Sequence, residues 1–186
     1  MRIIVGISGA SGAVLGYELL KVLHEIPDVE SHLIMTKGAE KTLAYETDLT
    51  LEDVRALADV CHDIDNLAAS VSSGSFVTEG MIILPCSMKT VAGIVSGYSE
   101  NLLLRAADVC LKEGRKVVLA PRESPLSKVH LRNLLQAAED GCSIIPPMLT
   151  FYSGADTVKK QINQTIGKIL LQFGIEYKEF VTWTGK

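Results

Sequence analysis

The strongest constraint on this chain is at its amino end. Residues 2–8, RIIVGIS, are apolar with almost no alternation, and glycines recur at 6, 9, 12 and 16 within VGISGASGAVLG (5–16). An apolar run with no polar face fits a strand buried on both sides, as in a parallel sheet covered by helices. Leu15, Leu19, Val22 and Leu23 then take up helical spacing. A strand that turns through glycines into a helix leaves backbone N–H groups facing outward, where a phosphate or the edge of an electron-rich ring can sit. The alternative is that the glycines serve only close packing of helix on sheet.

The same alternation continues downstream. SHLIMT (31–36), MIILP (81–85), KVVLAP (116–121) and CSIIP (142–146) read as further strands. Helices are expected at about 13–25, 37–45, 51–59, 88–96, 101–112, 128–140 and 155–173, with Thr50 and Asp53 in capping-box spacing. Residues 60–80, rich in Ser and Asp, read as a long loop with at most short elements. Alternating strands and helices predict right-handed βαβ units, a mostly parallel sheet and an α/β three-layer sandwich. At 186 residues, 47% hydrophobic and only 5% aromatic, the chain suits one such domain, 1–186, better than an aromatic-rich β-sandwich. The tail, 174–186, carries Tyr177, Phe180 and Trp183 without periodicity. It is expected to pack at a subunit interface, the alternative being that it folds back on its own domain.

Several classes fall away. The net charge of -4 gives no nucleic-acid footprint. No apolar run is long enough to span a membrane and no secretory leader is visible, so a cytoplasmic location is expected. Cys61, Cys86, Cys110 and Cys142 are too far apart for a zinc or redox pair, and the histidines form no HExxH, so no metal is expected. The glycine loop is Gly-x-x-Gly-x-x-Gly, not Gly-x-Gly-x-x-Gly. The second strand ends in Met35-Thr36-Lys37 without the acid that binds an adenosine ribose, and no Gly-Lys-Ser/Thr follows.

In open parallel sheets, ligands bind beyond the carboxyl ends of the strands. Those ends carry Ser8-Gly9-Ala10-Ser11, Thr36-Lys37, Cys86-Ser87-Met88-Lys89-Thr90, Arg122-Glu123 and Pro146-Pro147, a grouping suited to a polar ligand with several oxygens. Ser87 and Thr90 also suit simple capping of the next helix. NLLLRAADVCLK (101–112) is apolar almost all round, yet Asn101, Arg105, Asp108 and Lys112 form one polar stripe. Arg105 and Asp108 can pair at i, i+3, which leaves Lys112 needing an anion unless the stripe faces solvent. Arg122 and Glu123 in APRESP are placed for an anionic ligand and a proton transfer. Glu46 in AYETD is either a second acid at a helix end or an ordinary surface carboxylate, and Lys168, off the apolar stripe of the last helix, reads as a solvated lysine.

GISGASG, ETD, SSGS, LPCSMKT, RAADVCLKEGRK, PRESP, HLRNLLQAAEDG, PPMLTFY and FVTWTG occur in an order that resembles the UbiX-type flavin prenyltransferases, over essentially the whole chain. The resemblance implies a Rossmann-like, flavodoxin-type fold and a dodecamer with active sites at subunit interfaces. It implies metal-independent transfer of a dimethylallyl group from dimethylallyl phosphate to N5 and C6 of reduced FMN, with release of the product to a UbiD-type decarboxylase. By position, Gly9, Ala10, Ser11, Thr36, Ser87, Met88, Lys89, Thr90, Arg105 and Arg122 would contact FMN. Lys112, Arg122, Glu123, Tyr152 and Lys168 would hold the dimethylallyl phosphate, so Lys112 and Tyr152 are expected to converge. Ser11 and Glu46 match positions linked to proton handling, Glu123 would relay a proton, and Trp183 would lie near the allyl group. Lys168 stands where many relatives have arginine, exchanging a bidentate grip for a point charge. Two other readings differ in class: a flavin-dependent cysteine decarboxylase, whose asparagine-containing segment PCSMKT lacks, and a non-catalytic flavin carrier.

Overall fold

The apolar runs become the centre of one sheet. In the computed structural model, which describes residues 1–185, β1 (Arg2–Ile7) pairs in parallel with β2 (Glu30–Met35) on one side and β4 (Gly80–Cys86) on the other. β5 (Lys116–Pro121) and β6 (Cys142–Ile144) extend the sheet beyond β4, and β3 (Val60–His62) closes the far edge beside β2. The order is β3-β2-β1-β4-β5-β6 and every pairing is parallel. This is the doubly wound Rossmann-like order. Without β3, which the sequence reads as loop, the remaining five strands keep the flavodoxin-type order. β3 has only three residues and none of them is fully buried, so it carries no apolar run to betray it.

Side chains of the central strands alternate between two cores. Ile3, Val5 and Ile7 pack with Leu19, Leu20 and Leu23 of α1 (Ala13–His24), Leu43 of α2 (Lys37–Glu46), Val54 of α3 (Leu51–Arg55) and Ile166 of α7 (Val158–Leu170). Ile4 faces the other way, with Val91 of α4 (Met88–Val95), Leu103 of α5 (Leu102–Lys112) and Ala137 of α6 (Lys128–Glu139). Three layers result. The Thr50–Asp53 capping box forms, but α3 stops at Arg55, short of the expected 59. Asp59 instead turns the chain into β3, its carboxylate accepting the N–H and hydroxyl of Ser31 at 2.7 and 2.9 Å.

Candidate active site

The chain leaves β1 for a helix on one face and β4 for a helix on the other, which makes the crevice between them the topological switch point. Ser8 ties the two strand ends together. Its buried hydroxyl donates to the Pro85 carbonyl at 3.0 Å and accepts the Ser87 N–H at 2.7 Å. A cavity of about 250 Å3 opens there, lined by Gly9, Gly38, Lys89, Leu103 and three N-caps. Thr36 caps α2 by accepting from Ala39 N–H, Ser87 caps α4 through Thr90 N–H, and Asn101 caps α5 through Leu104 N–H, at 3.1, 3.3 and 3.1 Å. Each helix still has first-turn N–H groups without an intrahelical partner and the positive end of its dipole. Three such ends, the Lys89 ammonium and no lining carboxylate make this a place for a phosphate.

The glycines of the first loop divide their work. A Cβ on Gly9 would lie 3.1 Å from the Cα and carbonyl carbon of Gly38, so the first loop meets the start of α2 backbone to backbone at the cavity wall. Gly12 takes φ 96°, the left-handed turn into α1. Gly16 serves packing alone: a Cβ there would meet Ile7 Cδ1 at 2.6 Å and the Leu84 carbonyl at 2.7 Å. Close packing thus accounts for Gly16 and a turn for Gly12, while Gly9 keeps the backbone bare at the cavity wall.

Beside the cavity, Glu46 reaches back from the end of α2 to the start of α1 and accepts the Gly12 N–H at 2.8 Å. Partial burial pushes its carboxyl pKa up, but hydrogen bonds from the Ser11 hydroxyl and the Gly12 and Ala13 N–H groups, with the Arg122 charge, outweigh that and hold it below the ordinary value. Arg122 is carried there by β5, its N–H donating to the Cys86 carbonyl at 3.1 Å. Next to it, Glu123 is exposed and accepts the Ser124 N–H at 3.0 Å. Ser11, Glu46, Arg122 and Glu123 thus gather at the carboxyl edge with Gly9, Thr36, Ser87, Lys89 and Thr90.

Beyond β6, Tyr152 and Lys168 line a second cavity of about 150 Å3 with Ile145, Pro146, Met148 and Phe180. Trp183 meets Tyr152 edge to face, ring centroids 5.6 Å apart at 76°. The tail folds along its own α7 up to this contact; Lys186, its last residue, lies outside the described residues.

Other positions point elsewhere. The side chains of Met88 and Ala10 are buried, and Met88 packs with Val91 and Leu103 in the core, which leaves its backbone N–H for a ligand. Arg105 pairs with Asp108 at 2.6 Å and donates to the Ser72 carbonyl at 3.3 Å, away from the cavity. Lys112 pairs with Glu113 at the far end of α5, and that stripe is partly exposed rather than buried. Lys112 stands at the amino edge of the sheet, just before β5, whereas Arg122 and Glu123 follow its carboxyl end. A six-residue strand spans roughly 20 Å. One chain therefore does not bring Lys112 to Tyr152. Ser8, grouped by the sequence with the ligand-facing strand ends, instead spends its hydroxyl joining the ends of β1 and β4, and Gly38 had no reading at all, a glycine opening a helix being its only signal.

A doubly wound parallel sheet with a phosphate-suited crevice at its switch point defines a nucleotide-binding α/β protein, and the Flavoprotein family matches residues 1–171. The chain is 54% identical over 186 residues to flavin prenyltransferase UbiX of Escherichia coli strain K12, covering 99% of this chain and 98% of that one. It superposes with TM-score 0.97 on a dodecameric FMN-dependent UbiX-like decarboxylase from Escherichia coli O157:H7, 50% identical with all of both chains covered. AnUbiX (PadA1), solved with FMN and dimethylallyl pyrophosphate, gives TM-score 0.96 at 48% identity, covering 100% of this chain and 98% of that one. The chain belongs to the UbiX-type flavin prenyltransferase family. Among the described residues, no helix is long and apolar enough to cross a membrane.

Proposed function

We propose that this chain joins the dimethylallyl group of dimethylallyl phosphate to N5 and C6 of reduced FMN, and passes the prenylated flavin to a UbiD-type decarboxylase. The observation that carries the reading is the convergence of three helix N-termini on the glycine-walled crevice, within a chain 54% identical to a flavin prenyltransferase. The FMN phosphate fits that crevice, held by Ser87, Lys89, Thr90 and the first N–H groups of α2, α4 and α5, with Gly9, Ala10, Ser11 and Thr36 along the first two loops. Reduced FMN supplies electron-rich N5 and C6 as acceptors.

The remaining residues act on the leaving group and the protons. Breaking the allylic C–O bond develops negative charge on the phosphate, which the Lys168 ammonium, the Tyr152 hydroxyl and the Arg122 guanidinium stabilise. Trp183 offers a π face to the positive allyl fragment. The Ser11–Glu46 pair, held ionised, accepts a proton, and Glu123 relays one during ring closure. Arg105 and Lys112 share one stripe of α5 turned away from their own site. They serve a neighbouring copy's site, so the working unit is an oligomer, read as a dodecamer with its sites between subunits.

The test is to mix the protein anaerobically with reduced FMN and dimethylallyl phosphate and weigh the bound flavin by mass spectrometry. A flavin heavier by one dimethylallyl unit is expected. Unmodified FMN after many equivalents of donor would overturn the proposal.

A further inference from the structure

Trp183 reaches Tyr152 only because the tail turns back along α7, and two contacts hold that turn. Gln164 is 4% exposed. Its amide oxygen faces the Val181 N–H at 3.0 Å and its amide nitrogen the Val181 carbonyl at 3.2 Å, the orientation that satisfies both groups. A side-chain amide thus pairs with a tail peptide as a neighbouring strand would. One turn on, a Cβ on Gly167 would lie 2.3 Å from Phe180 Cβ and 2.4 Å from its Cγ. Only a hydrogen at that position lets the Phe180 side chain lie on the helix. The next residue is Lys168, and Phe180 walls the same cavity as Lys168 and Tyr152. The tail is therefore seated by two α7 residues placed one turn apart, and what it delivers to the cavity is an indole.

We propose that Gln164 and Gly167 are positioning residues: by seating the tail on α7 they bring Trp183 to Tyr152, and so set how tightly dimethylallyl phosphate is held. This rests on the function proposed above. Bound donor needs the seated tail, so its apparent affinity scales with the fraction of molecules in which the tail is seated. Once the donor is bound the tail is seated, and the chemistry then proceeds at the same rate.

The chain has a single tryptophan, so the fluorescence anisotropy of Trp183 reports tail mobility directly. In Gln164→Leu both Val181 groups lose their partner without a charge entering the donor cavity, and in Gly167→Leu a side chain occupies the place of Phe180. Should either fail to fold, Val181→Pro removes the tail N–H that the Gln164 amide oxygen accepts, at a residue outside the donor cavity. Anisotropy is expected to fall in each. If the seated fraction drops to about a tenth, KM for dimethylallyl phosphate rises about tenfold while kcat at saturation stays near wild type. FMN affinity should stay near wild type too, because the FMN crevice is built from other helices. Wild-type anisotropy and KM in these variants would overturn the inference, as would a loss of FMN affinity in step with KM, which would mark a merely structural role. A wild-type protein that makes no prenylated flavin would sink the function instead, and the anisotropy result would still decide the docking.

Discussion

The carboxylate of Glu46 sits where the first turn of α1 lacks partners, accepting the Gly12 N–H at 2.8 Å. A negative charge there is favoured by the helix dipole as well as by the hydrogen bonds. Burial works against ionisation, but Ser11, Gly12, Ala13 and Arg122 outweigh it, so the folded pKa lies below the ordinary 4.5. The sign follows from that depression. Glu46 contributes stability at pH values above about 4.5, and the contribution is lost as pH falls through the lower folded pKa. In Glu46→Gln the loss should be no more than about 1 kcal/mol at pH 7, since the group is largely exposed. Urea midpoints of the two proteins should differ at neutral pH and converge in acid; a gap that widens in acid would contradict the argument. The ETD motif made this residue visible in the sequence and the resemblance coupled it with Ser11, but its grip on the Gly12 N–H was not visible. Nothing in a linear reading brings residue 46 to the start of a helix thirty-odd positions earlier.

Elements were legible where burial is two-sided. β1, β4 and β5 are apolar runs because helices cover both faces, and each was found. β3 was missed for the converse reason: an edge strand of three residues needs only backbone pairing with His32–Ile34, which leaves no hydrophobic signature. The start of α4 carried two readings, cap or ligand site, and the structure gives Ser87 the cap on a turn that also lines the crevice. The two roles can be separated by charge. Aspartate caps a helix as well as serine does, yet puts a negative charge where a phosphate must bind. Ser87→Asp should therefore melt within a few degrees of wild type while FMN binding, followed by quenching of flavin fluorescence, falls at least tenfold. Ser87→Ala should lose about 1 kcal/mol of stability with a smaller loss of binding. Equal FMN affinity in Ser87→Asp and wild type would move the phosphate away from α4.

At the scale of the whole molecule, what the sequence could not supply was which edge of the sheet each charge occupies, because that depends on where helices begin and end relative to the strands. The stripe on α5 was plain, and the Arg105–Asp108 pair forms as the spacing predicts. Lys112, however, ends α5 at the amino edge, across the length of β5 from Arg122 and Glu123, while Tyr152 and Lys168 lie beyond the carboxyl end of β6. If Lys112 belongs to the donor site, it belongs to a neighbour's, and closed symmetry would repeat that exchange at every interface. The consequence is measurable with two inactive proteins. Lys112→Ala and Tyr152→Phe should each transfer the prenyl group poorly alone. Unfolded together and reassembled in equal amounts, they form sites at random. A site is intact when the subunit giving Tyr152 carries Lys112→Ala and the neighbour giving Lys112 carries Tyr152→Phe, a chance of one half for each. Activity should therefore recover to about a quarter of wild type. If both residues acted within one chain, no mixture would recover, since every chain would carry one lesion. Mixtures as inactive as their parents, with the oligomer re-formed by light scattering, would return Lys112 to its pairing with Glu113 and remove it from the chemistry.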